Sequence, residues 1–505
     1  MSRGPGRSTR GTLTRVVTGA RVVLAALAAV VGAGLVLRAV LGSADLRGVE
    51  AGLGMLLLLV AVSAASAELG ERRAASDLRR RTAAVATRVD EVREKQSRHE
   101  YRQEAALARV EQAVQAVRAD VEGHSWALYG GQARTLTFTP SDEGRTRVLL
   151  VTSNGGGLGH LTRCLAVADH NRDRISAAVV TLSTAHDAVA GMGYDVEHVP
   201  SPATTGEPWP RWHRRFSRHL QALVRANEVD VVVFDGTWVY RGLTEVCDRL
   251  DVPLVWLCRG TWRADADRTQ LASPLQHCDH VLVPEDVSGD LPELDVAAPW
   301  VTVCPPITVV DRSGALPADE ARERLGLDPA GRYALVQVGG GNVGDVSTVA
   351  ATAASALREH GFTPVVVASP MSSHGGVPTE LATVISGVYP LARYLDAFEL
   401  AVCAGGYNSV HENLALGLPA VYVPSTATTT DDQVARVEEV ERLGLGIVAR
   451  TGDDVATAVA TLARHGVLDA MRRRLADREP VNGARAAGDA VLAVAGSGVR
   501  RGRPA

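Results

Sequence analysis

Residues Arg147–Arg163 read RVLLVTSNGGGLGHLTR. The first seven, Arg147–Ser153, are a continuous apolar run of strand length, the pattern of a strand covered on both faces. Four glycines follow within six residues, and then His160-Leu-Thr-Arg163 opens a helix-length segment. A glycine-dense turn lets the backbone approach a ligand closely, and the helix behind it offers free N–H groups and a positive dipole end. The spacing is not G-x-G-x-x-G, and no acidic residue ends the next strand-like run, Ile175–Ser183, so the turn is not a dinucleotide fingerprint. His160 in the first helical turn is placed to take a proton from a bound hydroxyl. The plainer alternative is that it only caps the helix or bonds the loop.

Outward from this unit the pattern repeats. Apolar runs recur at Val229–Gly236, Pro253–Arg259, His280–Glu285 and Val301–Pro305. A second series runs Tyr333–Gly340, Thr363–Ser369, Leu400–Gly406, Pro419–Ser425 and Gly446–Ala449, with amphipathic segments such as Thr348–Glu359 and Val410–Leu416 between. Strands alternating with helices predict α/β architecture: two Rossmann-like parallel-sheet domains, over 146–310 and 331–480, separated by the polar stretch Asp311–Gly331. Residues 481–505 add a helix and a basic tail. In such sheets ligands bind beyond the C-terminal strand ends. Asp235 and Arg259, which end two strands, therefore join Asn154, Gly155, Gly156, Gly157, Gly159 and Arg163 as candidate residues of one binding face.

The first 145 residues are a different object. No proline falls between Pro5 and Pro140, which predicts helix. Val22–Leu41 and Ala51–Ala67 are each near the ~20 residues needed to span a bilayer, so 22–67 predicts two transmembrane helices. Arg3, Arg7, Arg10, Arg15 and Arg21 precede the first, within the basic segment 1–21, and Arg72, Arg73, Arg79, Arg80 and Arg81 follow the second. This asymmetry places both termini in the cytoplasm, on the inner membrane. Across 68–124, Leu107, Val110, Val114, Val117 and Val121 step as a coiled-coil seam. That segment is a homodimer stalk or a single amphipathic helix lying on another surface.

Composition narrows the chemistry. The 505 residues are 46% hydrophobic and 22% charged, with net charge −4, which excludes a globally basic nucleic-acid coat. Lys95 is the sole lysine, so Schiff-base and Walker-type lysine chemistry is excluded from the α/β part. The cysteines Cys164, Cys247, Cys258, Cys278, Cys304 and Cys403 form no C-x-x-C pair and read as reduced core residues. The arginine- and alanine-rich composition is that of a high-GC bacterium.

Two further loops carry chemistry. Gly339, Gly340, Gly341 and Asn342 follow a strand and can hold phosphate only through backbone amides. The segment Cys403-Ala-Gly405-Gly406-Tyr-Asn408-Ser409-Val-His-Glu412 ends a strand and starts a helix that Asn408 or Ser409 would cap. Glu412, one turn inside, would repel a phosphate and suits the vicinal hydroxyls of a ribose. The segment Pro208–Leu220 is basic and aromatic. It is either a lipid-facing surface or a helix covering the first sheet through Trp212, Phe216, Leu220 and Leu223.

In this order the motifs resemble those of the GT-B glycosyltransferases of family 28, among them the N-acetylglucosaminyltransferase that completes lipid II and plant monogalactosyldiacylglycerol synthase. The match is strongest over Cys403–Gln433, with its glycine turn, Glu412, a G-L-P turn and Asp432-Gln433. The resemblance implies a nucleotide-sugar, a UDP-sugar foremost, bound by Gly339–Asn342, Gly405, Gly406, Asn408, Ser409, Glu412, Asp432 and Gln433. It implies His160 as general base toward the acceptor, single-displacement inversion, and neither metal nor bound cofactor. The function expected is transfer of a hexose or N-acetylhexosamine to a lipid-linked or envelope-polysaccharide acceptor. The alternatives are a non-catalytic nucleotide-sugar-binding membrane scaffold and a sugar-nucleotide 2-epimerase.

Overall fold

Valine and leucine dominate the strands, and two parallel sheets are what they build. The structure, a computed structural model, describes residues 135–141, 144–153, 158–338, 346–367 and 381–497. The predicted membrane spans, the 68–124 helix, the loop residues Asn154–Gly157 and the turn Gly339–Asn342 lie outside the described residues. Among the described residues no helix is long and apolar enough to cross a membrane.

The first sheet holds β1 (Thr146–Thr152), β2 (Ile175–Thr181), β3 (Val196–His198), β4 (Val231–Asp235), β5 (Leu254–Leu257), β6 (His280–Pro284) and β7 (Val301–Cys304), in the order β3-β2-β1-β4-β5-β6-β7. The second holds β8 (Tyr333–Gln337), β9 (Thr363–Val367), β10 (Thr383–Ile385), β11 (Leu400–Ala404), β12 (Ala420–Val423) and β13 (Ile447–Val448), in the order β10-β9-β8-β11-β12-β13. All pairs are parallel. The strand order reverses between β1 and β4 and again between β8 and β11, and these reversals open the crevices in which such sheets bind ligands. Thr152 and Asp235 are register partners at the first crevice, Gln337 and Cys403 at the second.

The helices that matter here are α1 (Gly159–Asp169), α2 (Trp209–Ala226), α3 (Arg241–Leu250), α4 (Val346–Glu359), α5 (Tyr407–Leu416), α6 (Gln433–Arg442) and α7 (Ala484–Gly496). In α2 the Trp212, Phe216, Leu220 and Leu223 side chains are fully buried, and the helix packs on α3. Each such burial contributes about 1.5–3 kcal/mol. Trp209, Arg211, Arg214 and Arg218 are left on the outer face. Helix α5 ends where Gly417 adopts φ +75°, the left-handed closing residue of the G-L-P turn. The last helix, α7, returns to the first half and packs on α1, β4, β6 and β7. Its anchor is Asn171, whose Nδ2 donates to the Val167 and Ala484 carbonyls at 2.7 and 2.9 Å.

Three elements differ from expectation. The edge strands β3 and β10 are three residues long, too short to show a pattern. The stretch expected to separate the domains contains a helix, Ala318–Arg324, with Asp319 and Glu320 in its first turn and Arg322 and Arg324 in its last, matched to the helix dipole. Leu316 N–H donates to Arg393 O at 2.8 Å, so the second half begins before residue 331. All six cysteines are buried free thiols, as expected.

Candidate active site

At the end of β4, Asp235 is buried directly below the first turn of α1. Its Oδ1 accepts from His160 Nδ1 at 2.6 Å and from Arg163 Nη2 at 2.6 Å, and its Oδ2 accepts from Arg163 Nε at 2.9 Å. Burial alone would raise the Asp235 carboxyl, but the Arg163 guanidinium and the His160 imidazole hold it below the usual range. An ionised carboxylate can only accept, so His160 carries its proton on Nδ1 and presents a bare Nε2. Arg163 Nη2 lies 3.3 Å from His160 Nδ1; both are N–H groups meeting at the same oxygen. Burial lowers the His160 pKa below its ordinary 6.5, Arg163 and Arg259 push in the same direction, and Asp235 opposes them. The imidazole is therefore neutral at physiological pH and able to accept a proton.

The start of α5 faces the start of α1. Asn408 Nδ2 donates to Gly159 O at 3.4 Å, bringing two helix N-termini and their unsatisfied N–H groups together. The Asn408 Oδ1 is buried with no partner among the described residues, an acceptor open to a ligand's donor. Thr162 Oγ1 and Tyr389 OH, 3.0 Å apart, add a second link between the halves. Glu412 lies partly buried on α5, and burial pushes its carboxyl up to about 8. A carboxyl in that condition is stabilised as an anion by hydroxyl donors that arrive with a ligand.

A second polar cluster, not anticipated from the sequence, lies behind α5. Asp286, two residues past β6, receives Arg436 Nε at 3.0 and 2.9 Å and Nη2 at 2.7 Å, with His411 Nε2 at 3.1 Å. Arg436 also donates to Gly405 O at 3.0 Å and to Asp431 at 2.8 and 3.3 Å. Arg259 reaches Asp431 at 3.4 Å. Against the cost of burial, Arg436 and His411 hold Asp286 well below the carboxylate range. Arg436→Met should cost about 3–5 kcal/mol, since it leaves two buried carboxylates under-compensated. Urea unfolding at pH 7 measures this; a loss under about 1 kcal/mol would contradict the cluster's structural role.

The structure thus brings together His160, Arg163, Asp235, Gly159, Asn408 and Arg259, and sets Glu412 one turn further along α5. One expectation changes. Neither Asn408 nor Ser409 caps α5: the helix starts at Tyr407, two to three residues earlier than those caps would require, so Gly406 is the N-cap and Asn408 and Ser409 lie in the first turn. Asp432 Oδ1 accepts from Ala435 N at 3.0 Å, so it caps α6. Gln433 Oε1 accepts from Ser425 N at 2.9 Å and secures the loop after β12. Gly405 is required by packing, since a Cβ there would run into Val437 of α6. The cluster around Asp286 escaped sequence reading because its partners are far apart in the chain; Arg259, legible at a strand end, was its visible signal.

Two Rossmann-ordered sheets with facing crevices and a histidine–aspartate pair at the junction define a protein of the GT-B class. Residues 376–479 match the family model for the glycosyltransferase family 28 C-terminal domain. A UDP-N-acetylglucosamine--N-acetylmuramyl-(pentapeptide) pyrophosphoryl-undecaprenol N-acetylglucosamine transferase from a Nocardioides species is 29% identical over 327 residues, covering 61% of this chain and 85% of that relative. The protein of the same name from Leifsonia xyli is 30% identical over 295 residues, covering 54% of this chain and 76% of that relative. Among solved structures, TcCGT1 in complex with UDP shares the fold with a TM-score of 0.51 at 12% identity, covering 70% of this chain and 99% of that one. The chain belongs to glycosyltransferase family 28 and is a transferase enzyme.

Proposed function

We propose that this enzyme is a membrane-anchored, inverting glycosyltransferase that moves a hexose or N-acetylhexosamine from a UDP-sugar to a lipid-linked or cell-envelope acceptor. The observation that carries this reading is the His160–Asp235 pair, 2.6 Å apart, beside the start of α5. His160 Nε2 takes the proton as the acceptor oxygen attacks the anomeric carbon from the face opposite the nucleotide. The C–O bond to the diphosphate breaks in the same step, so configuration inverts. The developing charge on the leaving diphosphate is met by the N–H groups of Asn408 and Ser409 and by the α5 dipole. Glu412 accepts the two ribose hydroxyls, and Asn408 Oδ1 accepts from a further ligand donor. Gly339–Asn342, which lie outside the described residues, are assigned to the donor on the family resemblance alone.

The relatives named above act, by their names, on a UDP-N-acetylglucosamine donor and an undecaprenol-linked acceptor. We extend that chemistry to this chain by class: UDP-sugar donor, lipid-linked acceptor. Val22–Leu41 and Ala51–Ala67 would hold the enzyme in the inner membrane with the catalytic part in the cytoplasm, and 68–124 would pair two copies. The outer face of α2, with Trp209, Arg211, Arg214 and Arg218, is the surface we assign to anionic headgroups. Thermal denaturation of the full chain in detergent against UDP-, GDP-, dTDP- and CDP-sugars tests the donor site. A UDP-sugar at about 100 times its Kd should add about 2.7 kcal/mol of stability. A shift with another base and none with UDP would overturn the donor assignment.

A further inference from the structure

Tyr407 takes no part in the chemistry above, yet it sits where the two halves of the site meet. It is the first residue of α5, the helix whose N–H groups face the donor. The Arg163 guanidinium stands over its ring at 5.1 Å and that of Arg436 at 5.8 Å, while the His411 ring lies 4.4 Å away. Its hydroxyl accepts from Ile307 N–H at 3.0 Å and donates to Glu285 O at 3.3 Å. Arg163 is the residue that forks onto Asp235, and Arg436 grips Gly405 O just before the helix N-cap. One aromatic ring is therefore the shared neighbour of the guanidinium that governs the base and the guanidinium that fixes the entrance to the donor helix. Burial matters to this arrangement, because cation–π attraction strengthens when both partners are desolvated.

We infer that Tyr407 is a positioning residue: its ring holds Arg163 on Asp235 and so ties the first turn of the donor-side helix to the acceptor-side base His160. The inference rests on the proposed transfer reaction for its purpose, but not for its test. The charged groups facing His160 are Asp235 from β4, Arg163 from α1 itself and Arg259 from beyond β5. Of these, Arg163 is the one that contacts Tyr407. Without the ring, Arg163 is free to swing from its fork, and Asp235 then acts on the imidazole with less opposition. The imidazole becomes easier to protonate. A donor that moves α5 would act on the base by the same route.

The test is the titration of His160 in the full-length protein in detergent, followed by NMR of 13C-labelled histidine and assigned by loss of the signal in His160→Ala. Tyr407→Leu should raise the His160 midpoint by about half a pH unit or more, the equivalent of losing one buried cation–π contact. Tyr407→Phe, which keeps the ring and loses both hydroxyl bonds, should leave the midpoint where it is. Tyr407→Met carries the same expectation as leucine should the leucine variant fail to fold. In sugar transfer, Tyr407→Leu should lower kcat about tenfold with a smaller change in donor KM. An unchanged midpoint in Tyr407→Leu or Tyr407→Met, whatever the loss of stability, would overturn the inference. Because the midpoint is read without turnover, a failed transfer assay would count against the reaction and a fixed midpoint against Tyr407.

Discussion

His160→Ala should lower kcat by about 10²–10⁴-fold while leaving UDP-sugar affinity within about twofold of the parent. The split follows from where the residue lies. His160 stands on α1 in the first half, bonded to Asp235 at 2.6 Å, whereas Glu412, Ser409 and Asn408 belong to α5 in the second. Removing the imidazole takes away the proton acceptor and no donor contact. The same arrangement sets the acid limb of the rate profile. Since burial, Arg163 and Arg259 hold the His160 pKa below 6.5, activity should persist at pH 6.5 and fall only at lower pH, as the imidazole gains its proton. Steady-state kinetics with calorimetric donor titration measures both halves. Unchanged turnover in His160→Ala would remove the base from the mechanism.

Glu412→Gln should do two opposite things: weaken UDP-sugar binding by at least about tenfold and stabilise the ligand-free protein above pH 5. The binding loss is that of charge-assisted hydrogen bonds to hydroxyls, about 1.5–3 kcal/mol. The stability gain comes from burial. The folded-state carboxyl titrates at about 8 against an ordinary value of 4.5, so between those limits the folded chain binds more protons than the unfolded one. Stability must then fall as pH rises from about 4.5 to 8 and level off beyond. Glutamine, which does not ionise, removes that slope; for this partly buried side chain the gain at pH 8 is on the order of a few kcal/mol, reduced by solvent screening. Urea unfolding from pH 5 to pH 8 without ligand shows the slope. A parent protein whose stability rises across that range would contradict the reading of Glu412 as a strained, ligand-awaiting carboxyl.

The strands of the two sheets were legible because a strand buried on both faces must be apolar throughout, as Val148–Val151 and Val231–Phe234 are. His160 and Asp235 were legible as residues at strand ends and helix starts, although nothing in the sequence says that they touch. Tyr407, by contrast, reads as one more core aromatic. Its role exists only once Arg163 and Arg436, from opposite halves of the chain, are brought over its ring. Asp431 and Asp432 show the same limit from another side: they are neighbours of identical type, one joining a buried ion cluster and the other capping a helix. Which does which depends on α6 docking against Asp286, a residue 150 positions from Arg436.

The measurement closest to the central claim is the movement of label from UDP-[14C]sugars into the organic-solvent-soluble lipid fraction of bacterial membranes carrying the full-length chain. We predict that at least one UDP-hexose or UDP-N-acetylhexosamine transfers label to lipid, with inverted anomeric configuration in the product and loss of transfer in His160→Ala. Retention of configuration, or label that reaches lipid equally in parent and His160→Ala membranes, would contradict it.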